Sequence, residues 1–126
     1  MKYNYILQID DDAEDCDFFS EALQSVSNAT YLAIHNAKDA LIKLEKKVVI
    51  PDIIFLDLNM PKMNGTEFLI ELKKREFLKH IPVIIFSTSP VTEMMFQTKD
   101  LGACDYITKP SDYSTLKKLL QQRFSS

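Results

Sequence analysis

The feature of this chain that most limits its fold is a repeated change of apolar period. Tyr5-Ile6-Leu7-Gln8-Ile9, Thr30 to His35, Ile53-Ile54-Phe55-Leu56, Val83-Ile84-Ile85-Phe86 and Cys104 to Ile107 are short apolar or β-branched runs that read as strands. After each comes a segment whose apolar residues recur at helical spacing. These are Phe19/Ala22/Leu23/Val26, Ala37/Ala40/Leu41/Leu44, Phe68/Leu69/Leu72, Val91/Met94/Met95 and Tyr113/Leu116/Leu120/Phe124. The punctuation agrees. Asn36 is a helix cap, Asn64-Gly65 marks a turn, and Ser89-Pro90 starts a helix with proline where no hydrogen bond is lost. Gly102 ends that helix, and Ser111 or Asp112 caps the last one.

Strict alternation of strands and helices implies a parallel sheet covered on both faces. The continuous apolar runs at 53–56 and 83–86 belong in its middle. The predicted fold is therefore α/β: a doubly wound five-stranded parallel sheet with five helices, flavodoxin-like. It fills residues 1–126 as one domain, with no repeat, no linker and no output domain.

Composition removes several function classes. A chain of 126 residues with 46% hydrophobic and 26% charged residues reads as an ordinary soluble domain. Its net charge of −3 gives no reason to expect nucleic acid as a partner. No apolar run approaches the roughly 20 residues that span a bilayer, and the first residues lack the basic segment and long apolar stretch expected of a signal peptide. The 2 glycines, Gly65 and Gly102, cannot build a P-loop or a dinucleotide fingerprint. The 2 cysteines, Cys16 and Cys104, have no metal-type spacing and read as reduced, packed thiols of a cytoplasmic protein.

Chemistry concentrates where the strands end. Asp10-Asp11-Asp12 follows the first, Asp57 the third, Ser87 the fourth and Lys109-Pro110 the fifth. In an open parallel sheet that edge is where ligands bind. Six of the eight residues from Asp10 to Asp17 are acidic. Asp12 reads as an N-cap, and Glu14, Asp15 and Asp17 as acids favoured by a helix dipole. Asp10 and Asp11 instead sit at the strand edge. Two unit charges about 4 Å apart cost roughly 4 kcal/mol at an effective dielectric of about 20, so three converging carboxylates need protons or a cation. An oxygen-only donor set suits Mg²⁺. Taken singly, Lys109 reads as a solvated lysine and Ser87 as a helix cap. Together with a phosphoryl group on Asp57 they make sense as donors to its oxygens, because charge neutralisation and positioning are most of what phosphoryl transfer requires.

Asp10-Asp11, Asp57 with Met60-Pro61-x-Met63-x-Gly65, Ser87 and Lys109-Pro110 resemble the receiver domains of two-component response regulators, in order and spacing, over the whole chain. Ile81-Pro82-Val83, Leu101-Gly102-Ala103 and Tyr106-Ile107-Thr108-Lys109-Pro110 look most like stand-alone receivers of the chemotaxis and phytochrome-regulator kind. The resemblance implies that Asp57 accepts a phosphoryl group from a sensor histidine kinase or a histidine phosphotransfer protein. It implies Mg²⁺ on Asp11 and Asp57 directly, on Asp10 mainly through water, and on the Asn59 carbonyl. It makes Ser87 and Tyr106 the switch residues, Lys109 the partner of the phosphoryl oxygens, and Pro110 the residue after a cis peptide bond. Asn59 and Ser89 fall where the family tunes the lifetime of the phosphorylated state. Output would go to a downstream protein effector, from a monomer or a phosphorylation-linked homodimer, through a face carrying Glu93, Met95, Phe96, Gln97, Lys99 and Lys117. Met95 and Phe96 are adjacent, so one of them is expected to be exposed.

Two departures stand out. Ser87 is serine where threonine is commoner, and Gln8 is polar in an apolar strand and, if buried, needs a partner. The expected protein is a signalling module rather than an enzyme with a separate substrate. One rival is a haloacid-dehalogenase-type phosphohydrolase, which carries a second Asp where this chain has Asn59. The other is a degenerate receiver acting as a constitutive scaffold, which the intact acidic set disfavours.

Overall fold

The computed structural model describes residues 3–89 and 91–124, with the backbone alone for 91–93. Strands β1 (Tyr5–Ile9), β2 (Thr30–Ile34), β3 (Ile53–Leu56), β4 (Val83–Ser87) and β5 (Asp105–Thr108) form one parallel sheet in the order β2-β1-β3-β4-β5. Helices α1 (Ala13–Gln24), α2 (Ala37–Glu45), α3 (Gly65–Lys73), α4 (Val91–Asp100) and α5 (Tyr113–Phe124) connect and follow them. The doubly wound α/β architecture is the one expected. The order turns back on itself between β1 and β3, the position at which such sheets open a crevice at their carboxyl ends.

Both faces of the sheet are buried, which explains why the central strands are apolar without alternation. Ile54 and Leu56 of β3 and Val83 and Ile85 of β4 pack with the inner faces of α2 and α3 (Ala40, Leu41, Leu44, Phe68, Leu69, Leu72). Ile53, Phe55, Ile84 and Phe86 pack on the other side with α1 and α5 (Phe19, Leu23, Leu116, Leu120, Phe124). Phe19 sits among rings, 4.9 Å from Phe55 and 5.4 Å from Phe86, centroid to centroid. Those two rings lie two residues before Asp57 and one before Ser87. The aromatic cluster is thus the rigid floor on which both side chains stand.

The caps follow the residue chemistry. Asp12 accepts from the backbone N–H of Glu14 and Asp15 at 3.0 and 3.2 Å, and Asn36 from that of Asp39 at 2.9 Å. Asn64 is more than a turn residue. It forms a capping box with Glu67 and starts α3 at Gly65. Asp112, not Ser111, caps α5 through the Thr115 N–H at 2.9 Å. Gly102 ends α4 with φ +106°, a conformation glycine adopts without strain.

Several expectations change. β2 stops at Ile34, and β5 starts at Asp105 and runs to Thr108. The Lys109–Pro110 bond is trans, since no peptide bond among the described residues is cis. Cys16 is buried but Cys104 is exposed, because it precedes an edge strand that lacks a neighbour on one side. Val26 lies past the end of α1 and is half-buried. Phe96 and Met95 are both exposed, Phe96 at 69%. Pro90 and the side chains of Val91 and Glu93 lie outside the described residues. No helix among the described residues is long and apolar enough to cross a membrane.

Candidate phosphoacceptor site

β1 and β3 are neighbours with Ile9 opposite Leu56, so the residues that follow them, Asp10 and Asp57, emerge side by side. The Asp57 N–H donates to the Ile9 carbonyl at 3.0 Å, which fixes this register one residue past the strand. Asp10, Asp11 and Asp57 each bring a carboxylate oxygen within 4.8 Å of the others. Asp10 and Asp57 are buried and Asp11 faces solvent. Three hard oxygen donors with one open side fit a small divalent cation that retains several waters, so the residues present suit Mg²⁺.

The cation that the sequence argument demanded is already partly supplied by the protein. Lys109, from the end of β5, puts its ammonium 2.6 Å from Asp10 Oδ2, 2.8 Å from Asp15 Oδ2 and 3.9 Å from Asp57 Oδ1. Burial alone would lower the lysine pKa, but the hydrogen bonds that Lys109 donates to Asp10 and Asp15 outweigh it and hold the value above the usual lysine range. For Asp57, burial pushes the carboxyl up. The Lys109 charge, the Ser87 hydroxyl and the backbone N–H groups of Asn59 and Leu58 pull it down without cancelling the rise. Asp10 is likewise raised by burial, against Lys109 and the Asp12 N–H, with the Asp57 charge adding to the rise. Ser87 is fully buried at the end of β4.

Asn59 and Ser89 meet across the mouth of the pocket. The Asn59 amide donates to Ser89 Oγ at 2.7 Å and approaches Ser87 Oγ at 3.5 Å. Tyr106 is turned inward and packs with the α2–α3 side of the core. Its hydroxyl donates to the Ser89 carbonyl at 3.1 Å, which ties β5 to the β4–α4 turn. Sequence reasoning required this ring near the surface, and it borders a cleft of about 180 Å³ lined by Met95, Thr98, Lys99 and Ala103.

Gly65 has a positional role that its motif did not reveal. A Cβ there would lie 2.2 Å from the Asp57 carbonyl oxygen and 2.8 Å from Leu58 Cα. The start of α3 therefore packs directly on the backbone that carries Asp57. Asp15 makes a contact that its reading as a first-turn acid did not include. It does stand in the first turn of α1, but it also holds Lys109. Gln8 is buried and accepts from the Tyr31 hydroxyl at 2.6 Å. Its amide nitrogen has no partner among the described residues.

The response regulator receiver domain profile matches residues 6–121. The chain belongs to the response regulator receiver domain family, whose members act in two-component, phosphorelay signalling. A protein-glutamate methylesterase/protein-glutamine glutaminase of Treponema denticola is 51% identical over 78 residues, 60% of this chain, and the match spans only 20% of that protein's length. The crystal structure of the phosphorylated cyanobacterial phytochrome response regulator RcpA superposes with TM-score 0.87 and 31% identity, covering 96% of this chain and 91% of that one. The Mn²⁺-bound form of response regulator Rcp1 gives 0.84 and 28%, covering 94% and 90%.

Proposed function

We propose that this receiver takes a phosphoryl group onto Asp57 from a phosphohistidine, with Mg²⁺, and that the acyl phosphate reshapes a protein-binding face. The supporting observation is the meeting of carboxylates, a buried hydroxyl and an ammonium from β1, β3, β4 and β5, with Lys109 Nζ 3.9 Å from the Asp57 oxygen. RcpA was solved phosphorylated and Rcp1 with Mn²⁺, which agrees with both halves of the reading.

An Asp57 carboxylate oxygen attacks phosphorus. The P–N bond breaks, and its electron pair stays on the imidazole, which takes a proton from water. Asp10, Asp11, Asp57 and the Asn59 carbonyl would hold Mg²⁺, which when bound offsets charge on the phosphoryl oxygens. Asp57 is kept accessible as an anion by the donors around it. Its Ser87 neighbour is an O–H donor aimed where phosphoryl charge develops, and Lys109 supplies a second. Ser87 drawn toward a new anion moves the turn bearing Ser89, and Tyr106 is bonded to the Ser89 carbonyl. Tyr106 thereby relays the change to the α4–β5 face, where Met95, Phe96, Gln97 and Lys99 are exposed. The readout is a protein contact, made with a downstream effector, a kinase or a second copy.

Incubation with acetyl phosphate and Mg²⁺ should add one phosphoryl group by intact mass, mapping to Asp57, and none to Asp57→Asn. Labelling of the variant at the wild-type level would remove Asp57 as the acceptor. Release of phosphate from a phosphomonoester over many turnovers would favour the hydrolase reading instead.

A further inference from the structure

We propose that Asp15 is a positioning residue for Lys109, holding one ammonium N–H for the phosphoryl oxygens; this rests on the phosphoacceptor reading above. A lysine ammonium has three donors and no acceptor. Here it faces three carboxylates. Asp10 Oδ2 at 2.6 Å and Asp15 Oδ2 at 2.8 Å take two N–H groups in hydrogen bonds. Asp57 Oδ1 at 3.9 Å is beyond hydrogen-bond range, so the acceptor oxygen does not consume the third N–H. A phosphoryl group on Asp57 extends the acceptor outward and closes that gap.

Asp10 cannot do this alone. It belongs to the acidic cluster that suits a cation, whereas Asp15 lies outside it. Once a metal shares Asp10, Asp15 is the carboxylate still free to restrain Lys109. That restraint matters because the lysine stem is flexible and loses most of its catalytic use when its head group wanders. Asp15 is itself well placed to be rigid. It is on the first turn of α1, and its backbone N–H is bound by the Asp12 cap at 3.2 Å. Its side chain is 40% exposed, so replacing it leaves no buried orphan charge on its own side.

The test is a double-mutant cycle read by phosphorylation rate with acetyl phosphate at saturating Mg²⁺. Asp15→Ala and Asp15→Asn should slow the first-order step at saturating donor between about five- and tenfold, the order expected for a loosened catalytic group. Asp15→Glu should restore most of the rate. In a Lys109→Gln background the Asp15 substitutions should change the rate less than about twofold, because the residue they act through is gone. Melting curves verify that each variant is folded, and Asp15→Asn, which keeps shape and loses charge, carries the test if Asp15→Ala is not. Equal effects in both backgrounds, or wild-type rates in every Asp15 variant, would overturn the proposal. A wild-type protein that takes up no phosphate would overturn the phosphoacceptor reading itself, a separate outcome.

Discussion

Asp57 stands in a place that resists ionisation. Its carboxyl pKa is raised above the ordinary 3.8, chiefly by burial. A raised folded-state pKa gives stability that is fully present below the unfolded value and is lost as pH rises through the folded one. At neutral pH without metal, the charge at Asp57 therefore costs stability. Asp57→Asn should melt higher than wild type at pH 7, by a few degrees. The gap should close as pH falls through the carboxylate range. Calorimetry across pH 3 to 7 with a chelator present measures this, and a variant less stable than wild type at pH 7 would contradict it. Ser87 makes the opposite kind of contribution, since its hydroxyl helps the anion. Ser87→Ala should slow phosphorylation on the order of tenfold or more, as loss of a preorganised donor does. Rapid-quench labelling would show it.

At the scale of elements, the site is the meeting of strand ends with a helix start. Gly65 lets α3 begin against the Asp57 backbone, and a methyl there would overlap the Asp57 carbonyl. Gly65→Ala should destabilise the fold by on the order of 2 kcal/mol or more and reduce phosphorylation together with it. Urea denaturation and labelling of the same samples test both. Most elements were legible from local chemistry. Helix periods matched cores such as Ala37, Ala40, Leu41 and Leu44, and caps at Asp12 and Asn36 lie within two or three residues of the groups they serve. Less legible was anything set by a neighbour. The edge position of β5 leaves Cys104 exposed, and Asn64 opens a capping box whose partner, Glu67, also passes as an ordinary surface acid. Asp15 in a first helical turn is explained by the dipole alone, so nothing local pointed to Lys109, 94 residues away.

For the whole molecule, a receiver site exists only because a doubly wound sheet gathers the ends of β1, β3, β4 and β5 at one edge. Alternation of periods was enough to foresee that sheet, and through it the grouping of Asp10, Asp11, Asp57, Ser87 and Lys109. Lys109 standing on Asp10 and Asp15, and Tyr106 bonded to Ser89, depend on side-chain geometry that pattern does not carry. Binding to the folded state alone stabilises it by mass action, so Mg²⁺ at about ten times its dissociation constant should add roughly 1.4 kcal/mol. The resulting rise of a few degrees in melting temperature should reverse with a chelator and largely vanish in Asp11→Asn. An unchanged melting temperature at high Mg²⁺ would speak for the scaffold reading. The most direct measurement of the central claim is a crystal structure grown with Mg²⁺ and beryllofluoride, a stable phosphoryl mimic. The account predicts the mimic on Asp57, with Lys109 and Ser87 each within hydrogen-bond distance of a fluoride and the metal against Asp11 and Asp57. A mimic bound elsewhere, or on Asp57 with Lys109 and Ser87 turned away from it, would contradict the account.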